Sequence, residues 1–225
     1  MSMEWKRRIE MLEDMESFFA KRVDGYDEHM INCVEGGKEA YQKIAQFVPY
    51  NAKRLLDLGC GTGLELEEIF RLYPEMEVTG IDLTEAMLTQ LKKKYAHRQL
   101  HLINGDYFNE EFGADHYDVA VSCQTMHHFS HEDKIALYTK IFHALKEEAV
   151  YIECDYMVTS QEEEDFYFAE NTRIRKEQNI PLNAFYHYDT PCTIDHQKTM
   201  LLKAGFKDVE LIWREGNTTL MVAYK

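Results

Sequence analysis

The chain has 225 residues, 45% of them apolar, which suits one large soluble domain or one domain with a small appendage. Its formal net charge of −15 disfavours a nucleic-acid binder, because neutralising phosphates needs an excess of Lys and Arg that 40 acidic against 25 basic residues do not provide. The five cysteines, Cys33, Cys60, Cys123, Cys154 and Cys192, are odd in number and form no CxxC pair; this argues against a disulfide framework or a thiolate zinc site and fits a reducing cytoplasm.

The opening stretch MSMEWKRRIE is too polar for a signal peptide, and no apolar run reaches the roughly eighteen residues of a membrane span, so neither secretion nor a membrane is expected. Trp5, Ile9, Leu12, Met15 and Phe19 recur at spacings of three and four, which predicts an amphipathic helix over 4–20. A second helical stretch runs over 27–47, loosened at Gly36 and Gly37 and stopped by Pro49. Residues 1–50 therefore read as a helical lid or dimerisation segment, with a homodimer expected through the Trp5–Phe19 helix.

From Arg54 the period changes. The apolar runs RLLDLG, VTGIDL, LHLIN, YDVAVSC and AVYIEC alternate with helical segments near 64–72, 84–95 and 131–146. That alternation predicts right-handed βαβ crossovers and a parallel sheet covered on both faces. Thr84 and Ser130 stand where side-chain oxygens would cap helix starts. An insertion over 156–192 contains a capping box at Ser160 and Glu163, acids in the first turn and bases in the last, which predicts a helix over 161–178. A helix near 194–204 closed by Gly205, then KDVELIW and TTLMVAY joined by REGN, complete the chain as a hairpin.

The chemistry concentrates in KRLLDLGCGTG. Gly59, Gly61 and Gly63 follow a buried strand and leave backbone bare for a ligand at a helix start, as nucleotide-binding loops do. The dinucleotide fingerprint GxGxxG would put its third glycine where Leu64 stands. Asp57, two residues ahead of Gly59, would repel a pyrophosphate but suits a ligand carrying positive charge. NAD is disfavoured on both counts, and no GKS or GKT follows for a P-loop. Asp82 ends the second strand, where a carboxylate can accept both hydrogen bonds of a ribose diol. Asp106 ends the third strand and suits an adenine amino group, with Tyr107 and Met87 offering faces to the ring.

DLGCGTG, then GIDL, NGDYF, VAVSCQTMHHF and LLKAGF before a terminal hairpin resemble the class I S-adenosylmethionine-dependent methyltransferases over roughly residues 20–225. FFAKRVDGYDEHM is similar to the N-terminal stretch of small bacterial members. The resemblance implies a Rossmann-like, doubly wound α/β fold whose seven-stranded sheet is mostly parallel with an antiparallel last strand. N-terminal helices and a helical insertion after strand 5 are added to it. It implies a cofactor-binding domain over 51–225, with 156–192 as substrate cap. S-adenosylmethionine is the implied cofactor: Asp57 and Gly59–Gly63 cradle its methionyl part, Asp82 takes the ribose, Asp106 and Tyr107 the adenine, and Tyr26 approaches the sulfonium. The expected cofactor set also includes Cys60, Leu83, Cys123, Gln124 and His128.

Methyl transfer from a sulfonium depends mainly on alignment, so no catalytic group is assigned. Gln124, His127 and His128 follow a strand tip, and Tyr186, His187, Tyr188 and Asp189 with Phe166, Tyr167 and Phe168 offer an aromatic wall over an acceptor. A metal cluster of His187, His196, Glu153 and Asp155 can be drawn, but no ligand spacing compels it and none is expected. The chain has SCQT where methyltransferases of DNA bases have an NPPY-type tetrapeptide, which favours a small-molecule acceptor. The alternatives are a protein that binds S-adenosylmethionine without donating its methyl, or an NAD-dependent oxidoreductase.

Overall fold

A computed structural model describes residues 11–181 and 183–225. The central strands are β1 (Arg54–Leu58), β2 (Glu77–Asp82), β3 (Leu100–Asn104), β4 (Tyr117–Cys123), β5 (Leu145–Val158), β7 (Asp208–Glu215) and β8 (Thr218–Tyr224), in the order β3-β2-β1-β4-β5-β8-β7. A two-residue strand β6 (Cys192–Thr193) adds to the far end of β5. Strands β1 to β5 pair in parallel, and β8 runs antiparallel to both β5 and β7. The antiparallel closing strand follows from the short REGN turn, which admits only a hairpin.

Successive residues of a strand face opposite sides of the sheet, and the apolar runs use both sides. Leu56, Ala120, Tyr151 and Met221 pack into one core, whereas Leu55, Val119, Ile152 and Val222 pack into the other. Helices α6 (His131–Ala144) and α8 (Ile194–Lys203) cover the first face. Helices α3 (Gly37–Phe47) and α4 (Leu64–Leu72) cover the second. Helix α5 (Glu85–Lys94), which links β2 to β3, packs Leu88 and Leu91 on the second face as well. The chain leaves β1 toward β2 on one side and returns to β4 on the other, so a crevice opens at the carboxyl ends of β1 and β4.

Two of the three side-chain caps expected at helix starts form. Ser130 and Ser160 accept from the amides of Asp133 and Glu163 at 3.2 Å, and Gly205 takes a φ of +118° beyond α8. Thr84 makes no side-chain cap; its own amide donates to Asp82 Oδ1 at 2.8 Å.

Two elements differ from the sequence expectation. The stretch 27–47 is two helices, α2 (Tyr26–Asn32) and α3, separated where Gly36 adopts a left-handed φ of +72°. The helix expected over 4–20 begins, within the described residues, only at Met15, so α1 is Met15–Ala20; Trp5 and Ile9 lie outside them. Its late start has a cause in hydrogen bonding. The amides of Leu12 and Met15 donate to Gln178 Oε1 and Phe185 O, and Glu13 O accepts from His187, so this backbone is committed to a seam with the 178–187 segment. Asp14 then caps α1 by accepting from the Ser17 amide at 3.0 Å.

Helix α7 (Gln161–Glu177) and the loop after it form the insertion. The first residues of that insertion, Tyr156–Val158, still belong to β5, which is longer than the apolar run AVYIEC. Helix α3 buries Ala40, Tyr41, Ile44 and Ala45 in the sheet core, so among the described residues of the N-terminal segment α1 and α2 lie over the crevice.

Candidate functional site

The glycine loop borders the crevice and has no room for a side chain at Gly59. The amides of Gly59 and Cys60 donate to Ile81 O, at 2.8 and 3.3 Å, which pulls the loop against the end of β2. A Cβ on Gly59 would stand 2.6 Å from Thr125 Oγ1, and its φ is +68°. The Gly61 amide donates to Asp82 Oδ2 at 2.8 Å, so Asp82 both shapes the loop and borders the space above it. Burial holds the Asp82 carboxyl above its ordinary range, against the two backbone donors that favour its charge.

A cleft opens above the loop. Of the residues expected from sequence, Tyr26, Gly59, Gly61, Asp82, Leu83 and Met87 line it, as do Asp106, Tyr107, Cys123, Gln124 and His128. Asp57, Cys60 and Gly63 do not. Cys60 and Gly63 border a small void behind the loop. Asp57 lies beneath the loop at 1% exposure, and neither of its carboxylate oxygens has a hydrogen-bond partner among the described residues. Burial raises its pKa well above the usual carboxylate range, and the neighbouring Glu65 raises it further. Glu65 was missed in the sequence because it reads as an ordinary acid in the first turn of α4.

On the side expected to take adenine, Asp106 turns back on its own loop. Its oxygens accept from the Phe108 amide at 2.9 Å and from Asn109 Nδ2 at 2.7 Å. Tyr107 is buried with its hydroxyl 3.0 Å from Thr125 Oγ1. Gln124 sits at the tip of β4 with a left-handed φ of +53°, a strained position for a residue with a side chain, held by its amide donating to Cys154 O at 2.8 Å.

Several cleft residues were not assigned to the cleft from the sequence. Met15, Phe19 and Phe185 close the roof, and Thr125 and Phe129 complete the wall. Met15 and Phe19 belong to the apolar face from which a homodimer was expected; here both are turned into the cleft. The roof is latched to the glycine loop. Thr62 Oγ1 donates to Asp27 Oδ1, Asp27 pairs with Lys94, and Lys94 Nζ donates to Thr62 O at 3.1 Å.

Beyond His128 a second chamber shares Phe19, Tyr26, Gln124 and His128 with the cleft. His127, His187 and Asp189 line it as well. His127 Nδ1 lies 2.5 Å from Asp155 Oδ1. Burial opposes the charge of His127, but Asp155 and then Asp189 outweigh it and its pKa is pushed up to about 10. The metal quartet drawn from sequence is not assembled. His196 bonds Glu164, Glu153 bonds Tyr151 and Gln197, Asp155 bonds His127, and His187 faces Asp189. Tyr167 and Tyr156 share a hydrogen bond at 2.9 Å, whereas Phe166 is exposed, so the aromatic wall expected from these rings is only partly built.

Residues 55–148 match the family described as a methyltransferase domain. A malonyl-[acyl-carrier protein] O-methyltransferase of Legionella pneumophila is 32% identical over 110 residues, covering 48% of this chain and 38% of that protein. A carboxy-S-adenosyl-L-methionine synthase of Wolinella succinogenes is 27% identical over 225 residues, covering 92% of each. The chain thus spans well under half of the first relative's length and nearly all of the second's. The solved structure of human N-acetylserotonin methyltransferase in complex with SAM superposes with a TM-score of 0.66 at 16% identity, covering 93% of this chain and 56% of that one. At that identity the likeness speaks for the fold. The domain match covers the strands and loop that build the crevice, and over that stretch the chain is similar to S-adenosylmethionine-dependent methyltransferases.

Proposed function

We propose that this chain transfers the methyl group of S-adenosylmethionine in line to a small-molecule acceptor that enters through the chamber beyond His128. The observation that carries the reading is a loop whose backbone is bare at Gly59 and Gly61 toward a cleft bordered by the carboxylates of Asp82 and Asp106. Carboxylates held in that setting favour a cationic ligand and disfavour a pyrophosphate. When bound, the cofactor supplies an activated methyl on a sulfonium.

The chain's own residues then have distinct tasks. An ionised carboxylate offers four lone-pair sites, and Asp82 uses two on Gly61 and Thr84, which leaves two for a ribose diol. Tyr107, Met87 and Leu83 provide apolar faces for a flat ring, with Asp106 at its edge. Gly59 and Gly61 allow close approach of the methionyl part, and Tyr26 and Phe19 cover the reacting end and exclude water. The insertion and helices α1 and α2 form the cap that selects the acceptor.

A second reading is favoured by the near full-length relationship to a carboxy-S-adenosyl-L-methionine synthase: the chain would modify the cofactor rather than donate its methyl. A further carboxylate at the reacting end calls for a cation there, and the cations that line the chamber, Lys21 and Arg22, are both paired with Glu13. Charge therefore favours methyl donation. The test is calorimetry with S-adenosylhomocysteine and NADH, followed by mass spectrometry of products from S-adenosylmethionine and a panel of thiols, phenols and amines. Binding of S-adenosylhomocysteine alone and a product heavier by one methylene support the proposal; tight NADH binding, or a carboxylated cofactor as the only product, overturns it.

A further inference from the structure

In the wall of the second chamber a buried carboxylate oxygen faces three histidine nitrogens, of which His128 Nδ1 also lies 3.4 Å from Tyr188 O. Asp189 Oδ1 is buried and makes no hydrogen bond among the described residues. Around it stand His127 Nε2 at 3.5 Å, His128 Nδ1 at 3.6 Å and His187 Nε2 at 3.9 Å. These separations are too long for good hydrogen bonds. They lie close to the edges of a tetrahedron of ligands: bonds of about 2.0–2.1 Å to a central ion put ligand atoms roughly 3.3–3.4 Å apart. The ligand atoms of His127, His128 and Asp189 all lie within 4.8 Å of one another.

The tautomer sharpens the argument. His127 Nδ1 is 2.5 Å from Asp155 Oδ1, which also accepts from the Tyr156 amide at 2.8 Å. With the proton on Nδ1, the lone pair of Nε2 points at the lone pairs of Asp189 Oδ1. Two acceptors in that arrangement require a cation between them, either a second proton on the ring or a metal ion. The carboxylate–histidine arrangement of Asp155 behind His127 is the outer-shell partner that metal-bound histidines usually have.

From this convergence we infer a divalent transition-metal site of the zinc class, held by His127 Nε2, His128 Nδ1 and Asp189 Oδ1. Nitrogen and carboxylate donors of this kind suit Zn²⁺, and three protein ligands leave a fourth position toward the chamber. His187, stacked on Phe18 at 3.4 Å between ring centroids, flanks that position. A neighbouring cluster of His131, Glu164 and Cys192 has similar composition but a different character. Its thiol already has a cation beside it, the Lys134 ammonium at 3.1 Å, and its carboxylate is bonded to His196.

The role of the ion rests on the proposed methyl transfer: an acceptor thiol or hydroxyl at the fourth position would lose its proton to solvent at neutral pH and present an anionic nucleophile. The binding site itself does not depend on that reading. It is tested on the full chain, without a histidine tag and stripped with chelator, by titration with Co²⁺ followed by displacement with Zn²⁺. The site requires one equivalent of Co²⁺ with the intense visible bands of a tetrahedral centre, bleached by Zn²⁺. Asp189→Asn is expected to abolish the bands, Asp155→Asn to weaken affinity about 10–100-fold, and Glu164→Gln to leave them unchanged. Each variant must still bind S-adenosylhomocysteine, which certifies its fold and is a readout separate from the metal. Absence of the bands in the parent protein, or bands that survive Asp189→Asn, overturns the metal site and leaves a doubly protonated His127 bridging two aspartates. Failure of the parent to bind S-adenosylhomocysteine with the bands intact would instead sink the cofactor reading alone.

Discussion

Replacing Asp82 by Asn tests the cofactor pocket with little change of shape. In the parent protein, Oδ2 accepts from the Gly61 amide and Oδ1 from the Thr84 amide, both at 2.8 Å. The amide keeps one acceptor oxygen and turns the other into a donor, so one of these two loop bonds and the charge are lost together. A ribose diol donating to the carboxylate loses at least one charge-assisted bond, worth about 1.5–3 kcal/mol. That corresponds to a weakening of S-adenosylhomocysteine binding by roughly 10–150-fold. Calorimetry gives the affinity, and urea unfolding of the ligand-free protein reports how much loop stability was lost on its own. A dissociation constant within threefold of the parent value would show that Asp82 serves the glycine loop only, and the ribose assignment would be wrong.

Gly59→Ala places a methyl 2.6 Å from Thr125 Oγ1 at a φ of +68°; the strain should cost about 1–3 kcal/mol in urea unfolding, and an unchanged midpoint would refute the clash. Glu153 is buried and its pKa is pushed up to about 7 from an ordinary 4.5, first by burial and then by Asp155. Between those values the folded protein holds a proton that the unfolded chain has released, so stability falls as pH rises through the window. The full effect is about 3 kcal/mol. Glu153→Gln should remove that slope, seen as a stability difference from the parent that changes between pH 5 and pH 8, and parallel profiles would contradict it. Asp27→Ala unlatches α2 from Thr62 and Lys94; because the Asp27–Lys94 pair is about one-third exposed, the loss in S-adenosylhomocysteine affinity should stay within roughly fivefold, and a loss beyond that would mean that the latch orders the whole roof.

The repeating elements were readable because each is encoded locally. RLLDL and YDVAVSC are too apolar for any place except a covered strand, Ser130 and Ser160 announce their helices, and REGN dictates a hairpin. The cleft residues at strand ends were readable for the same reason, since an open parallel sheet sends the residue after each strand to one edge. Locally encoded features also misled. The spacing of Trp5 to Phe19 suits a helix, but long-range hydrogen bonds from residues 12–15 to Gln178, Phe185 and His187 claim the backbone where Asp14 then begins α1.

By itself the sequence determined the sheet, its crossovers, and a glycine loop flanked by acids, because these depend on periods of two and 3.6 and on φ angles that glycine tolerates. Only the tertiary structure decided that Asp57 turns under the loop beside Glu65, that Met15, Phe19 and Phe185 roof the cleft, and that His127, His128, His187 and Asp189 meet. Those contacts join residues more than fifty positions apart in the chain, or depend on which way a buried side chain points. No spacing along the chain carries that information; packing of the insertion against the N-terminal segment creates it.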